Sequence, residues 1–239
     1  MNSLAPLPSS KELAQLHDQA LQDHDGLQEP AVDQVDELRL WIARNHFYNS
    51  KLWAEEDLAR RTQVTDSEIA ANKRAIDRYN QARNDATERV DELLLLRLGL
   101  VDAQSALSDT PRSLAPAGAR LNSETAGTIM DRLSILALKI HAMRRQVERR
   151  DVDEAHRSSS RAKLGQLLQQ REDLGSCLDA LLADAAAGRA FFKVYASSRC
   201  TTIRASIRPW WPRPRRRAAD ASLSAAAAGA GPGPAVAPR

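Results

Sequence analysis

Lys73-Arg74-Ala75-Ile76-Asp77-Arg78-Tyr79-Asn80-Gln81-Ala82-Arg83-Asn84-Asp85-Ala86-Thr87-Glu88-Arg89-Val90-Asp91-Glu92-Leu93-Leu94 contains neither Gly nor Pro and separates into faces at the helical period. At about 100° per residue, Ile69, Ile76, Tyr79, Ala86, Val90, Leu93 and Leu94 form an apolar arc, with Arg74, Arg78, Asp85 and Arg89 on the side away from it. Lys73, Asp77, Asn80, Asn84, Glu88 and Asp91, spaced by three or four residues, share a ridge between the two. Short Asp and Asn side chains compete for backbone hydrogen bonds inside a helix, so this ridge predicts bonding partners across helices or on a ligand.

Working outward, Thr65 with Glu68 has capping-box spacing and starts this helix, which the pattern carries to about Leu98, before Gly99. The preceding helix is expected from about Ala31, after Pro30, to Arg61, with Val35, Leu38, Ile42 and Leu52 on its seam. Asn45, Asn49 and Glu56 interrupt that seam, so polar residues enter the presumed core. Ser9 with Glu12 opens a short helix through Leu13, Leu16 and Ala20, ending near Gly26. Residues 99–122, with Pro111, Pro116 and Gly118, read as a long connection. Ile129, Leu133, Leu136, Ile140, Met143 and Val147 make a bundle stripe, with Asn122 or Ser123 available as cap. A Leu-rich helix from about Val152 to Ala187, carrying Leu164, Leu167, Leu168, Leu174, Leu178, Leu181 and Leu182, stops at Gly188. The expectation is all-α: an antiparallel bundle of four long helices plus a short N-terminal one, in a single domain over 1–195.

Composition supports this class. Aromatic residues make up 4% of the chain and strand patterning is almost absent. The longest apolar stretch, Leu93 to Val101, is broken by Arg97 and is too short to span a bilayer; Met1 to Ser10 lacks the pattern of a secretory signal. A cytoplasmic protein without membrane attachment is therefore expected. The net charge of +3 is unevenly placed: residues 196–239 carry eight Arg and one Asp, whereas 1–195 are net −4. Nucleic-acid binding would rest on the tail alone and is not expected of the helices. Cys177 and Cys200 suggest neither a metal clip nor a redox pair.

The strings Asn49-x-x-Leu52-Trp53-x-x-Glu56-Asp57-x-Ala59-Arg60, Lys73-Arg74-x-Ile76-Asp77-x-x-Asn80-Gln81-x-Arg83-Asn84 and Asn122-Ser123-Glu124-Thr125-x-Gly127, followed by Asp131-Arg132-Leu133-Ser134-Ile135-Leu136, resemble a bacterial all-helical family, domain of unknown function 4254, over about residues 35–195. The resemblance implies the fold and no activity. It also implies a continuation Arg-Gln-Phe-Lys-Met-Tyr-Asn-Asp-Pro-Ser-Leu-Asn-Pro, from which the chain departs after Phe192-Lys193-Val194-Tyr195. The codons GCC AGT TCA AGA TGT ACA ACG ATC CG would encode Ala196 to Arg204; moved by one base they read CAG TTC AAG ATG TAC AAC GAT CCG, which is Gln-Phe-Lys-Met-Tyr-Asn-Asp-Pro. A frameshift near codon 196, with a disordered out-of-frame tail over 196–239, is the expected origin of the Pro-, Ala-, Gly- and Arg-rich end; the alternative is a genuine basic arm.

The candidate site gathers polar residues from three helices: Asn49, Trp53, Glu56, Asp57 and Arg60; Lys73, Asp77, Asn80, Gln81, Asn84 and Glu88; Glu124, Asp131, Arg132 and Lys139. One reading is a pocket for a small polar or anionic metabolite, with Arg60, Arg132 or Lys139 meeting the anion, Asn80, Gln81 and Asn84 reading hydroxyls or amides, and Glu56 or Asp57 as catalytic base. A second is a structural network that fixes helix register. A third is an interaction module in which excess apolar surface on the last two helices drives homo-oligomerisation. A di-iron site would need Glu-x-x-His, which is absent; Asp153 and His156 have that spacing but stand alone. Phosphate-cradling Gly-rich loops, a Ser nucleophile elbow and Cys-x-x-Cys are likewise missing, so no metal and no cofactor are expected.

Overall fold

The computed structural model describes residues 6–22, 28–31, 36–106, 108 and 111–194. The expected stop near Gly26, the seam residue Val35 and the tail from Tyr195 lie outside the described residues. Within them, five helices appear in chain order: α1 Ser10–Ala20, α2 Glu37–Ala59, α3 Asp66–Arg97, α4 Ala126–Glu148 and α5 Glu154–Ala186.

Local chemistry sets most of the ends. Ser9 and Thr65 each accept the backbone N–H three residues on, and Glu12 and Glu68 return the bond, completing two capping boxes. At the other end of α3, Gly99 adopts φ 66° and Leu100 N donates to Leu95 O at 2.9 Å. Gly188, at φ 71°, closes α5 the same way through Arg189 N and Asp184 O at 2.8 Å. Two boundaries differ from the sequence reading. Ala31 is not helical and α2 begins at Glu37, where Asp36 caps without a side-chain bond and ion-pairs with Arg97 of α3. Thr125, rather than Asn122 or Ser123, caps α4 through Thr128 N, because Asn122 is held by strand pairing.

That pairing is a two-stranded parallel ribbon of β1 Arg120–Leu121 and β2 Ala190–Phe191, which sequence pattern did not reveal. It straps the connection before α4 to the chain leaving α5.

α2 and α3 form an antiparallel hairpin, with Glu37 beside Arg89, Asn45 beside Thr87 and Glu55 beside Asn72. α4 and α5 form a second. α1 runs along α5: Ser10 N and Oγ donate to Asp179 at 2.8 and 2.6 Å, and Asp18 accepts from Arg171 at 2.8 Å. Gly175 permits this approach, since a Cβ there would meet Ser10 Cβ at 2.9 Å. One core joins Leu13, Leu38, Ile42, Val90, Leu94, Ile129, Leu133, Leu178, Leu182 and Phe192. The α4 stripe is buried from Ile129 to Ile140 and half-buried at Met143 and Val147, so the core thins toward the α4–α5 turn. No helix among the described residues is long and apolar enough to cross a membrane.

Candidate functional site

Where α4 crosses the α2–α3 hairpin, the seam interruptions Asn45 and Asn49 are buried at 4% exposure each. Their Nδ2 atoms both donate to Oδ1 of Asp131, at 2.9 Å. Asn45 also donates to Thr87 Oγ1 at 3.0 Å, and Asn49 to Ser134 Oγ at 3.1 Å. Ser134 Oγ lies 2.8 Å from His46 Nδ1. A buried carboxylate needs such partners, because an unpaired charge in the core is strongly destabilising. Arg83 approaches from α3 with Nε 3.9 Å from Asp131 Oδ1, a loose ion pair, and donates Nη2 to Asn84 at 2.9 Å. Arg83 Nε is buried and has no hydrogen-bond partner among the described residues.

Above this network opens a cleft of about 290 Å³ between α2, α3 and α4. Asn49 and Arg83, members of the network, also line it. Leu52, Trp53, Ile76, Ile135 and Leu138 give it apolar walls, and Glu56, Asp57, Arg60 and Asn80 complete the lining. Arg60 Nη1 donates to Asp57 Oδ1 at 2.8 Å. Glu56 makes no hydrogen bond among the described residues and is exposed. The cleft thus combines two cations, two amides and two carboxylates with apolar walls.

The remaining sequence candidates lie elsewhere. Lys73 pairs with Asp77 one turn away at 2.8 Å, and Gln81 donates to Asp85 at 2.8 Å, all four exposed. Asn84, Glu88 and Glu124 line a second cleft of about 570 Å³ beside the start of α4. Arg132, exposed, is spent on Glu124 through bonds of 2.7 and 3.0 Å. Lys139 lines a third groove of about 580 Å³ between α4 and α5, which Trp53 also borders. The ridge read from Lys73 to Asp91 therefore grades from exposed at its start to buried at Asp91.

Asp91 accepts Gly127 N at 2.6 Å, and no side chain at 127 would fit: a Cβ would meet Asp91 Cγ and Thr87 O, each at 2.8 Å. Burial pushes the Asp91 carboxyl up to about 7, against bonds from Thr125 and Gly127 that pull it down.

His17 and His46, which lack the carboxylate three residues before them that a di-iron site needs, are each 1% exposed, and their rings stack with centroids 4.5 Å apart, a pairing that spacing does not reveal. Burial lowers both: His46 falls to about 4, pulled back only partly by Asp18 and the His17 backbone, and His17 goes well below its usual value, helped by the His46 and Arg171 charges. The available signal was register: His46 follows Asn45 on the buried side of α2, and His17 lies four residues after Leu13.

Among the described residues no group of three or more His, Cys, Asp or Glu is placed to hold a metal ion. Fold and site together define an all-α bundle domain with a closed polar core beneath open clefts. The chain belongs to the family described as protein of unknown function (DUF4254), whose model matches residues 39–194. Neither a curated protein nor a solved structure matches it.

Proposed function

We propose that the α2–α3–α4 cleft binds a small polar metabolite bearing an anionic group. The observation that carries this reading is Arg83: its partly exposed side chain lines the cleft, bonded to Asn84 and loosely paired with Asp131, and its Nε meets no acceptor among the described residues. A carboxylate or phosphate entering the cleft would draw the guanidinium toward it, and with that turn the Nε gains an acceptor, since guanidinium groups favour planar, charge-assisted bonding. Asn49 and Asn80 would meet hydroxyl or amide groups, and the body of the ligand would lie against Trp53, Ile76 and Leu138. Asp57 is engaged by Arg60, so Glu56 is the carboxylate positioned to accept a proton from a bound hydroxyl or water.

Thermal unfolding of the full chain in the presence of small carboxylates, phosphates and sugar acids tests this. A ligand present at about 100 times its Kd adds about 2.7 kcal/mol of stability, which is a clear rise in Tm. Arg83→Gln should abolish the rise; because it also removes the cation beside Asp131, the rise is read against the variant's own unliganded Tm. No stabilisation by any compound, or equal stabilisation of the variant, overturns the binding reading.

That outcome would leave the second reading, a non-enzymatic scaffold with a structural polar cluster. It is favoured by the way Asn45, Asn49, Asp131 and Ser134 close on one another.

A further inference from the structure

The groove between α4 and α5 differs in character from the polar cleft. Its floor is apolar, with Trp53 from α2, Met143 from α4 and Leu167 from α5. Lys139 stands on one wall and Lys163 on the other, and neither makes a hydrogen bond or ion pair among the described residues. Among the described residues no carboxylate lines the groove, and its other polar members are glutamines. At about 580 Å³ it falls within the range of small-molecule pockets, which are mostly apolar with a few placed polar groups.

We propose that this groove is a second ligand site, taking a free medium-chain carboxylate: an acyl chain against Trp53, Met143 and Leu167, with the head group at Lys139 and Lys163. Charge complementarity selects this occupant. Two cations without partners beside an apolar slot favour a ligand with one anionic end and an apolar body, and disfavour a neutral hydrophobe or a cation. The chain's stacking on Trp53 supplies an optical signal, because transfer of apolar groups onto an indole changes its environment. Lysines at the surface also bury their aliphatic stems while the ammonium stays wet, so each contributes to the floor as well as the rim.

The test is a titration of the full chain with decanoate, below the concentration at which decanoate self-associates, read by tryptophan fluorescence and by calorimetry, with decanol as the neutral match. Saturable one-to-one binding of decanoate, about tenfold tighter than decanol, is expected. Lys139→Gln with Lys163→Gln should bring decanoate down to the affinity of decanol, and Trp53→Phe should remove the fluorescence change while calorimetric binding persists. Both lysines are exposed, so the double variant should keep the wild-type Tm. Arg83→Gln should bind decanoate unchanged, which separates this site from the polar cleft. Equal binding of decanoate and decanol, non-saturable uptake, or full affinity in the double lysine variant overturns the proposal.

Discussion

At the scale of single residues, Asp131 carries the greatest structural demand. Its Oδ1 is the acceptor that two buried asparagine amides share. Asp131→Ala leaves both amides without that acceptor and Arg83 without its nearest carboxylate, so urea unfolding should show a loss of about 3 kcal/mol. Lys73→Ala, which removes an exposed pair within one helix, should leave the urea midpoint where it is. Titration separates the buried groups further. The histidines have lowered folded values, so their contribution to stability is present above pH 6.5 and is lost as pH falls, for His46 toward about 4. Asp91 has the opposite sign: raised from 3.8 to about 7, it contributes stability that is present below 3.8 and lost as pH rises through about 7. Over the acid range the two slopes oppose each other. Asp91→Asn keeps an acceptor for Gly127 N and removes one slope, so its stability should fall more steeply than wild type between pH 6.5 and pH 4; identical slopes would show that Asp91 does not titrate in this range.

At the scale of elements, contact between helices rests on a few close approaches. α4 meets α3 at Gly127, where the Asp91 carboxyl and the Thr87 carbonyl occupy the space of a side chain. Gly127→Ala should therefore destabilise the bundle by about 1–3 kcal/mol despite its better helix propensity, and chemical denaturation checks this. Most of the elements were legible because their signals are local. Capping boxes at Ser9 and Thr65 and the glycines at 99 and 188 act over one turn, and the structure keeps all four. The start of α4 was not, because Asn122, Ser123 and Thr125 all suit a cap and only the pairing of β1 with β2, residues distant in sequence, removes Asn122 from contention. The ribbon itself is two residues per strand, too short for any alternation to register.

For the whole molecule, periodicity gave the faces of each helix but not which faces meet. Asn45 and Asn49 interrupt the α2 seam and are buried, whereas Glu56 in the same register is exposed because the α2–α3 hairpin is ending there. The candidate residues share helices, yet some border one or another of three clefts while Lys73, Asp77, Gln81, Asp131 and Arg132 border none of the three. The segment after Val194 lies outside the described residues, and its origin is a matter for the gene. Sequencing the gene across codons 190–210 should show the bases that restore Gln-Phe-Lys-Met-Tyr-Asn-Asp-Pro in a neighbouring frame; codons that cannot be so read would make the basic tail a genuine part of the design.

Arg83, lining the cleft with an Nε that meets no acceptor among the described residues, is where an anionic ligand would bond. Side-chain Nε–H resonances of arginine report it directly in a nitrogen-15 spectrum of the full chain, with Arg83→Gln identifying the signal. Titration with a small anionic metabolite that raises Tm should move the Arg83 Nε–H resonance saturably, at the concentrations that stabilise the protein. A resonance that stays fixed while such a ligand binds, or while the whole series of carboxylates and phosphates is added, would contradict the account.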